Sequence, residues 1–575
     1  MLQFPNNSFL YVLKVMALSL LASSCAQVVA PGGGKRDNDP PKIVKYSPDS
    51  AQLNFNSNTI ELTFDEYIQL KDLNNQLLIS PPLATTPDFK VKNKTLTITL
   101  DKTELKPNTT YSINFGNALQ DINENNPNEN FSYIFSTGSF IDSLKVKGKV
   151  QTAFDHKAEK GIFVMLYANM DDSAVYKAQP DYFAKTTADG SFQVNNIRQG
   201  KYKIVALKDA NAHYKYDGDA ENIGFSDTLV DPAEKKEIKL DLFKERANKI
   251  FVKRYMNPTY GKITIMLNEG SDSIRVTNIT NDQKGVQEFV NFSKNRDTIT
   301  YWVKNYTKDS LKLRVSNGNV AIDTLEFKMI TLEDALKSKR NPLKLSVVRS
   351  PGGNQEYDLG GGIYLNFSNP INNISLNNKI EFKEDTSLFR TNYHPSFIYD
   401  NMHVEYGFLD SSNTITELPD NPGVAISAPV FTNFTLKENT KYHLFIPPGT
   451  FTDIFGLKND SIKLDFKTRE AKYYGSLKLK VNVAENATGK YIVQLLDDRE
   501  AVVREDFISK TETLTYNYLH PNKYHLKMIY DANGNWKWDS GDYLKKIQPE
   551  RVIFNPETIT IRSNWDAEIE WQITR

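Results

Sequence analysis

Two stretches of this chain repeat each other across hundreds of residues. Leu105 to Tyr111 reads LKPNTTY and Leu436 to Tyr442 reads LKENTKY, so five of seven positions recur at an offset of 331 residues. Each block is framed alike. TIELTFDEYI (Thr59 to Ile68) and GIYLNFSNPI (Gly362 to Ile371) lie upstream; FSYIFSTG (Phe131 to Gly138) and IKLDFKTRE (Ile462 to Glu470) close the unit, after Asp121 and Asp453. Apolar and polar residues alternate through these frames, which is the period of a half-buried strand. A second unit follows each block. TTADGSFQVNNIRQGKYKIVAL (Thr186 to Leu207) leads into DANAHYKYDGD at Asp209, and TLTYNYLHPNKYHLKMIY leads into DANGNWKWDSGD at Asp531, an offset of 322 residues. A two-part unit repeated at nearly constant spacing constrains the chain to two pairs of similar domains.

The turn chemistry supports strands on both sides of each block. Asn108-Thr109 and Asn439-Thr440 suit a tight turn before a strand. The following tyrosine can bury its ring while its hydroxyl bonds back to the corner. The 29 tyrosines and 32 phenylalanines favour β-structure. A length of 575 residues allows about four domains of ~150 residues. Between the two pairs, KITIML, TITYWV and LKLRV alternate as strands of a further β-sandwich. TLEDALKSKR (Thr331 to Arg340) reads as a short helix started by Thr331, with Glu333 and Asp334 in its first turn.

The opening PPKIVKYSPDSAQLNF (Pro40 to Phe55), with the strands and blocks above, resembles the bacterial Ig-like domain of S-layer-associated and surface proteins. The resemblance covers residues 40–138 well and 346–470 more loosely, because a long insertion follows Ile371. The string T-x-D-G-x-F ending in G-x-Y resembles the transthyretin-like or carboxypeptidase-regulatory-like β-sandwich, with Asp189-Gly190 as a hairpin turn. In the second copy Pro521-Asn522 stands in place of the Gly200 turn. The whole is similar to a family of Ig-like-domain lipoproteins common in Bacteroidota. That resemblance implies an all-β fold: a tandem array of Ig-like and transthyretin-like β-sandwich domains after a lipoprotein signal. The expected segments are a signal at 1–24, a lipidated cysteine and leash at 25–41, an Ig-like domain at 42–139 and a transthyretin-like domain at 140–245. A middle sandwich at 246–340, a second Ig-like domain at 341–471 and a second transthyretin-like domain at 472–575 follow. Domains joined end to end should be cut by protease near 138–145, 245, 340 and 472.

Residues 11–25 read YVLKVMALSLLASSC, an apolar run after Lys14 that is too short to span a bilayer and ends in small residues and Cys25. It resembles a bacterial lipoprotein signal, although Ala22 stands where such signals usually carry Leu. Cys25 is the only cysteine, so an internal disulfide is excluded. Acyl chains on Cys25 would tether the protein to a membrane at ~0.8 kcal/mol per buried CH₂. AQVVAPGGGKRDNDPP then reads as a flexible leash. The resemblance implies an outer-membrane address, with either face open.

Catalytic motifs are missing from the sequence: there is no GxSxG, HExxH, CxxC or GxxxxGK(S/T). Lys+Arg and Asp+Glu balance at 70 each, with no basic footprint for nucleic acid. The expectation is therefore a non-enzymatic module. Asp531, Asn533, Asn535, Asp539 and Asp542 place oxygen-bearing side chains around a glycine-containing loop, as calcium requires. The first copy carries His213, a poor ligand for a hard ion. Two readings stay open for the Asp531 loop: a calcium site, or Asx turns packed over Trp536 and Trp538. Asp-(Ser/Thr)-aliphatic triplets mark Ser50, Ser143, Ser173, Thr228, Ser273, Thr298, Ser310, Thr324 and Ser461. They resemble the O-glycosylation sequon of Bacteroidota envelope proteins. The expected partner is another envelope protein or a glycan, met by sandwich-end loops or by the insertion Asn372 to Val430, with Phe389, Tyr393, Phe397, Tyr399 and Tyr406. Alternatives are a glycan-binding lipoprotein of a nutrient-uptake system and an accessory subunit of an outer-membrane assembly complex.

Overall fold

The computed structural model describes residues 38–573, apart from 130, 212, 248, 281–283, 294, 339–344, 351–355, 361–362, 376–380, 386, 389–392, 400–402, 411–435 and 484–488. The signal segment, Cys25 and Phe389 lie outside the described residues, as do the side chains of Tyr393, Phe397, Tyr399 and Tyr406.

The described fold is nearly all β, and every strand pairing joins strands of one segment. In the first segment, Thr59–Phe64 alternates buried and accessible residues as its pattern requires. Ile60, Leu62 and Phe64 meet Tyr111, Ile113, Tyr133 and Phe135 in one core between a four-stranded and a three-stranded sheet. The repeated block does the same job in both copies. The backbone N–H of Lys106 donates to Tyr111 Oη at 2.8 Å, and that of Lys437 to Tyr442 Oη at 2.8 Å. Asn108 and Asn439 take left-handed φ values of 50° and 52° just before their strands. Removing the hydroxyl leaves a part-buried N–H without its acceptor. Tyr111→Phe should therefore cost about 1–2 kcal/mol in denaturant titration; an unchanged midpoint would mean that water replaces the hydroxyl.

The second segment builds one seven-stranded sheet in which the first strand, Leu144–Thr152, pairs in parallel with the last, Glu237–Lys244. The C-terminal segment repeats this, with Gly475–Asn482 parallel to Asp566–Gln572. Phe163–Tyr167 (FVMLY) is buried at every position. A strand covered on both faces reads as a continuous apolar run. One face meets the segment's own core of Val164, Leu166 and Ile204. The other carries Phe163, Met165 and Tyr167 into a second cluster, which also contains Tyr543 from the far end of the chain.

Residues 252–328 form a third two-sheet unit, followed by the helix Leu332–Lys337, whose Thr331 side chain accepts the N–H of Asp334 as its sequence predicts. In the fourth segment, part of the insertion forms the paired strands Tyr393–Tyr399 and His403–Asp410. Among the described residues, no helix is long and apolar enough to cross a membrane.

Contacts also run between the segments. The third meets the fourth through Lys262 Nζ on Ser368 O at 3.0 Å and the rings of Tyr260 and Phe455. The fourth meets the fifth where Asp358 accepts from Tyr474 Oη at 2.7 Å and pairs with His520 at 2.9 Å. The fifth returns to the second. Segments two to five thus close a circuit, and the first sits on the second through Lys185 Nζ on Asn75 O at 2.9 Å.

Candidate functional site

The loop that closes this circuit is the one that begins at Asp531. The strand Asn522–Asp531 delivers Asp531 into the protein, 1% exposed. Its Oδ1 accepts the N–H of Gly534 at 2.6 Å and of Asn535 at 3.1 Å; its Oδ2 accepts that of Trp536 at 2.8 Å. One carboxylate thus folds five residues of backbone around itself, an extended Asx turn. The side-chain amides of Asn533 and Asn535 both donate to Asp539 Oδ2. Glu550 completes the loop, with Oε1 accepting from Ala532 N at 2.7 Å and Oε2 from Asp539 N at 3.0 Å. Burial raises the Glu550 carboxyl above the usual range.

The first copy is built on the same plan. Asp209 accepts the N–H of Asn211 and Tyr214, and Asn211 donates to Asp217 at 3.2 Å. Glu221 accepts from Ala210 N at 3.2 Å and Asp217 N at 3.0 Å. Glu221 lies beyond the first-copy run that the sequence marks, but its counterpart Glu550 was not singled out. The signal was there: each follows a DAN-x-x-(Tyr/Trp)-Lys-(Tyr/Trp)-Asp run, four residues after Asp217 but eleven after Asp539. The extra residues are what make the second copy different.

These extra residues reach across to the second segment. Tyr543 is fully buried, its ring centroid 5.3 Å from Phe225, 6.2 Å from Tyr176 and 6.4 Å from Tyr216. Its N–H donates to Glu245, whose other oxygen accepts from Tyr216 Oη at 2.6 Å. Polar contacts surround this plug. Arg246 pairs with Asp539, and Ser540 donates to the carbonyl of Lys244. Gln548 Nε2 bonds Asp227 at 2.8 Å, and Lys546 pairs with Asp172 at 2.7 Å. Trp538 donates its indole N–H to Glu550 O and packs edge-on against Phe154 at 5.1 Å. Lys537 reaches the third segment, pairing with Asp272 at 2.8 Å. Residue 245, expected to lie at a cleavable junction, is therefore held in an interdomain contact.

Of the five positions read as calcium ligands, the structure brings Asp531, Asn533, Asn535 and Asp539 together. Asp542 makes its contacts elsewhere, accepting from Lys545 N at 2.9 Å and pairing with Lys545 Nζ at 2.7 Å. Among the described residues, no group of three or more His, Cys, Asp or Glu is arranged to hold a metal ion. Trp536 is 36% exposed, lies under Lys490 Nζ at 4.7 Å and meets Phe507. Of the nine sequon hydroxyls, Ser50, Ser143, Thr228, Ser273, Thr324 and Ser461 are exposed, whereas Ser173, Thr298 and Ser310 are half-buried.

With this geometry in hand, residues 37–137 match the family model of a bacterial Ig-like domain. No curated protein matches the chain. Solved structures similar to it include BcpA, the major pilin subunit of Bacillus cereus, at 9% identity over 74% of this chain and 98% of that one, TM-score 0.13. The Bacillus anthracis TIE protein matches at 10% identity over 94% of this chain and 75% of that one, TM-score 0.14. The S-layer protein rSbsC matches at 10% identity over 90% and 66%, TM-score 0.14. The matched stretch holds its first sheet as Ile43–Ser47, Thr59–Phe64, Thr95–Thr99 and Asp88–Lys92 in that order.

Proposed function

We propose that this chain is a non-enzymatic lipoprotein of the cell envelope, anchored in the outer membrane through Cys25, that holds another envelope component on a braced frame of β-sandwiches. The observation that carries the reading is the closed circuit. The plug at Tyr543 and the polar contacts around it fix the second and fifth segments against each other, which suits a scaffold that must keep its loops at set distances. The sequence has no motif with a catalytic mechanism, which fits a role in binding rather than turnover. Glycans on the exposed sequon hydroxyls would shield turns from proteolysis.

The anchor is tested by Cys25→Ala. Wild-type protein should partition with membranes and take up a fatty-acid probe, and the variant should move to the soluble fraction unlabelled. A variant that still labels or stays with membranes would overturn the anchor. The scaffold reading is tested by native pull-down after detergent solubilisation, where a stoichiometric envelope partner is expected. Recovery of the chain alone counts against it.

A further inference from the structure

A cleft of about 580 Å³ opens where the fifth segment meets the second, beside the plug. His156, Lys239 and Asp241 line one side, and Glu550, Arg551 and Phe554 the other. Its acids are already engaged. Asp241 accepts from Gln151 Nε2 at 2.9 Å, Asp227 at the rim accepts from Gln548, and Glu550 holds two backbone N–H groups. Its cations are not. The side chains of Lys239 and Arg551 have no hydrogen-bond or ion-pair partner among the described residues, and both residues are exposed to the cleft and to solvent.

A third cation lies next to Phe554. Lys527 is 3% exposed, and its Nζ sits 3.0 Å from the ring centroid of Phe154 and 5.8 Å from that of Phe554. Aromatic faces can hold an ammonium, but they do not cancel its charge. Burial, and then the charge of Lys239, hold His156 below its ordinary range. Burial pushes Lys527 down to about 8.

We propose that this cleft binds an anionic sugar, its carboxylate or phosphate held by Lys239 and Arg551 and its hydroxyls donating to the free lone pairs of Asp241 and Glu550. Free cations set the charge of the ligand, because an added anion gains two charge-assisted bonds without displacing an existing one. Engaged carboxylates beside an aromatic ring set the rest of its chemistry, since acceptors that still have lone pairs suit hydroxyls and the π-face of a lining ring such as that of Phe554 suits sugar C–H groups. The volume lies within the roughly 300–1,000 Å³ of small-molecule sites. Because its walls come from two segments, an occupied cleft also tightens the contact between them. The proposal stands independently of the scaffold reading.

The test is calorimetric titration of the full chain with three probes: digalacturonate, glucose 6-phosphate and lactose. At least one of the two anionic probes should bind saturably, more weakly as salt rises, and lactose should not. Digalacturonate would assign a uronic acid, and glucose 6-phosphate a sugar phosphate. Lys239→Ala and Arg551→Ala should each weaken the binding by about tenfold. Both residues are exposed, so the variants should melt like the wild type; if either does not, Lys239→Gln and Arg551→Gln take their place. The proposal is overturned if neither anionic probe binds, if lactose binds equally well, or if the substitutions leave binding unchanged.

Discussion

Tyr543→Ala is expected to detach the C-terminal segment from the second one and to cost about 3–5 kcal/mol, the range for emptying a buried aromatic site. The ring is fully enclosed and sits among Tyr176, Tyr216 and Phe225, so its removal leaves a cavity that three large side chains cannot readily fill. The same loss loosens the backbone that presents its N–H to Glu245. Urea titration should show a lower midpoint or a split transition, and limited proteolysis should open a cut near 245 that the wild type resists. Tyr543→Phe provides the control. Among the described residues the buried Tyr543 hydroxyl has no hydrogen-bond partner, so its deletion removes an unsatisfied polar group and should be neutral or slightly stabilising. Wild-type melting and proteolysis of the alanine variant would show that the plug does not hold the segments together.

Asp531→Ala should cost about 3 kcal/mol, because three backbone N–H groups lose their acceptor at a site that is 1% exposed. Asp531→Asn should lose less, since its amide oxygen can keep the N–H groups of Gly534 and Asn535 while its NH₂ opposes only that of Trp536. The damage should spread to the plug, because the turn sets where the following residues leave for the second segment. Calcium is the second arm of this experiment. A cation held by Asp531, Asn533, Asn535 and Asp539 would have to share oxygens that already accept N–H groups, and to compete with Arg246 at Asp539. Should calcium bind there, the wild type will melt higher in millimolar calcium than in chelator and Asp531→Ala will abolish the rise. Equal melting temperatures leave a self-closed turn.

The local architecture was legible in the sequence because local chemistry determines it. Alternation at Thr59–Phe64, the Asn108 and Asn439 turns, the tyrosines that follow them and the Thr331 helix start each depend on neighbours a few residues away. The plug was not legible. DYLKKIQPE, Asp542 to Glu550, offers one aromatic among charges and reads as a solvated loop. Its partners, such as Phe225 and Glu245, lie about 300 residues away, and nothing in the spacing marks the pairing. The ligand count failed at Asp542 for a related reason. Counting from Asp531 as in an uninterrupted loop runs into the added residues, whereas setting the two copies side by side would have led from Glu221 to Glu550.

The parallel pairing of first and last strands in the second and fifth segments bears on how the chain meets force. In a parallel pair, the start of one strand and the end of the other lie at opposite ends of the ribbon. Tension applied across the segment boundaries therefore pulls Lys147–Thr152 along Glu237–Leu242, and Ser476–Asn482 along Asp566–Gln572, in shear. The rungs of each ladder share the load and must fail together, whereas a hairpin pulled from its open end unzips one rung at a time. Each of these two segments thus carries a mechanical clamp against a pull applied along the chain.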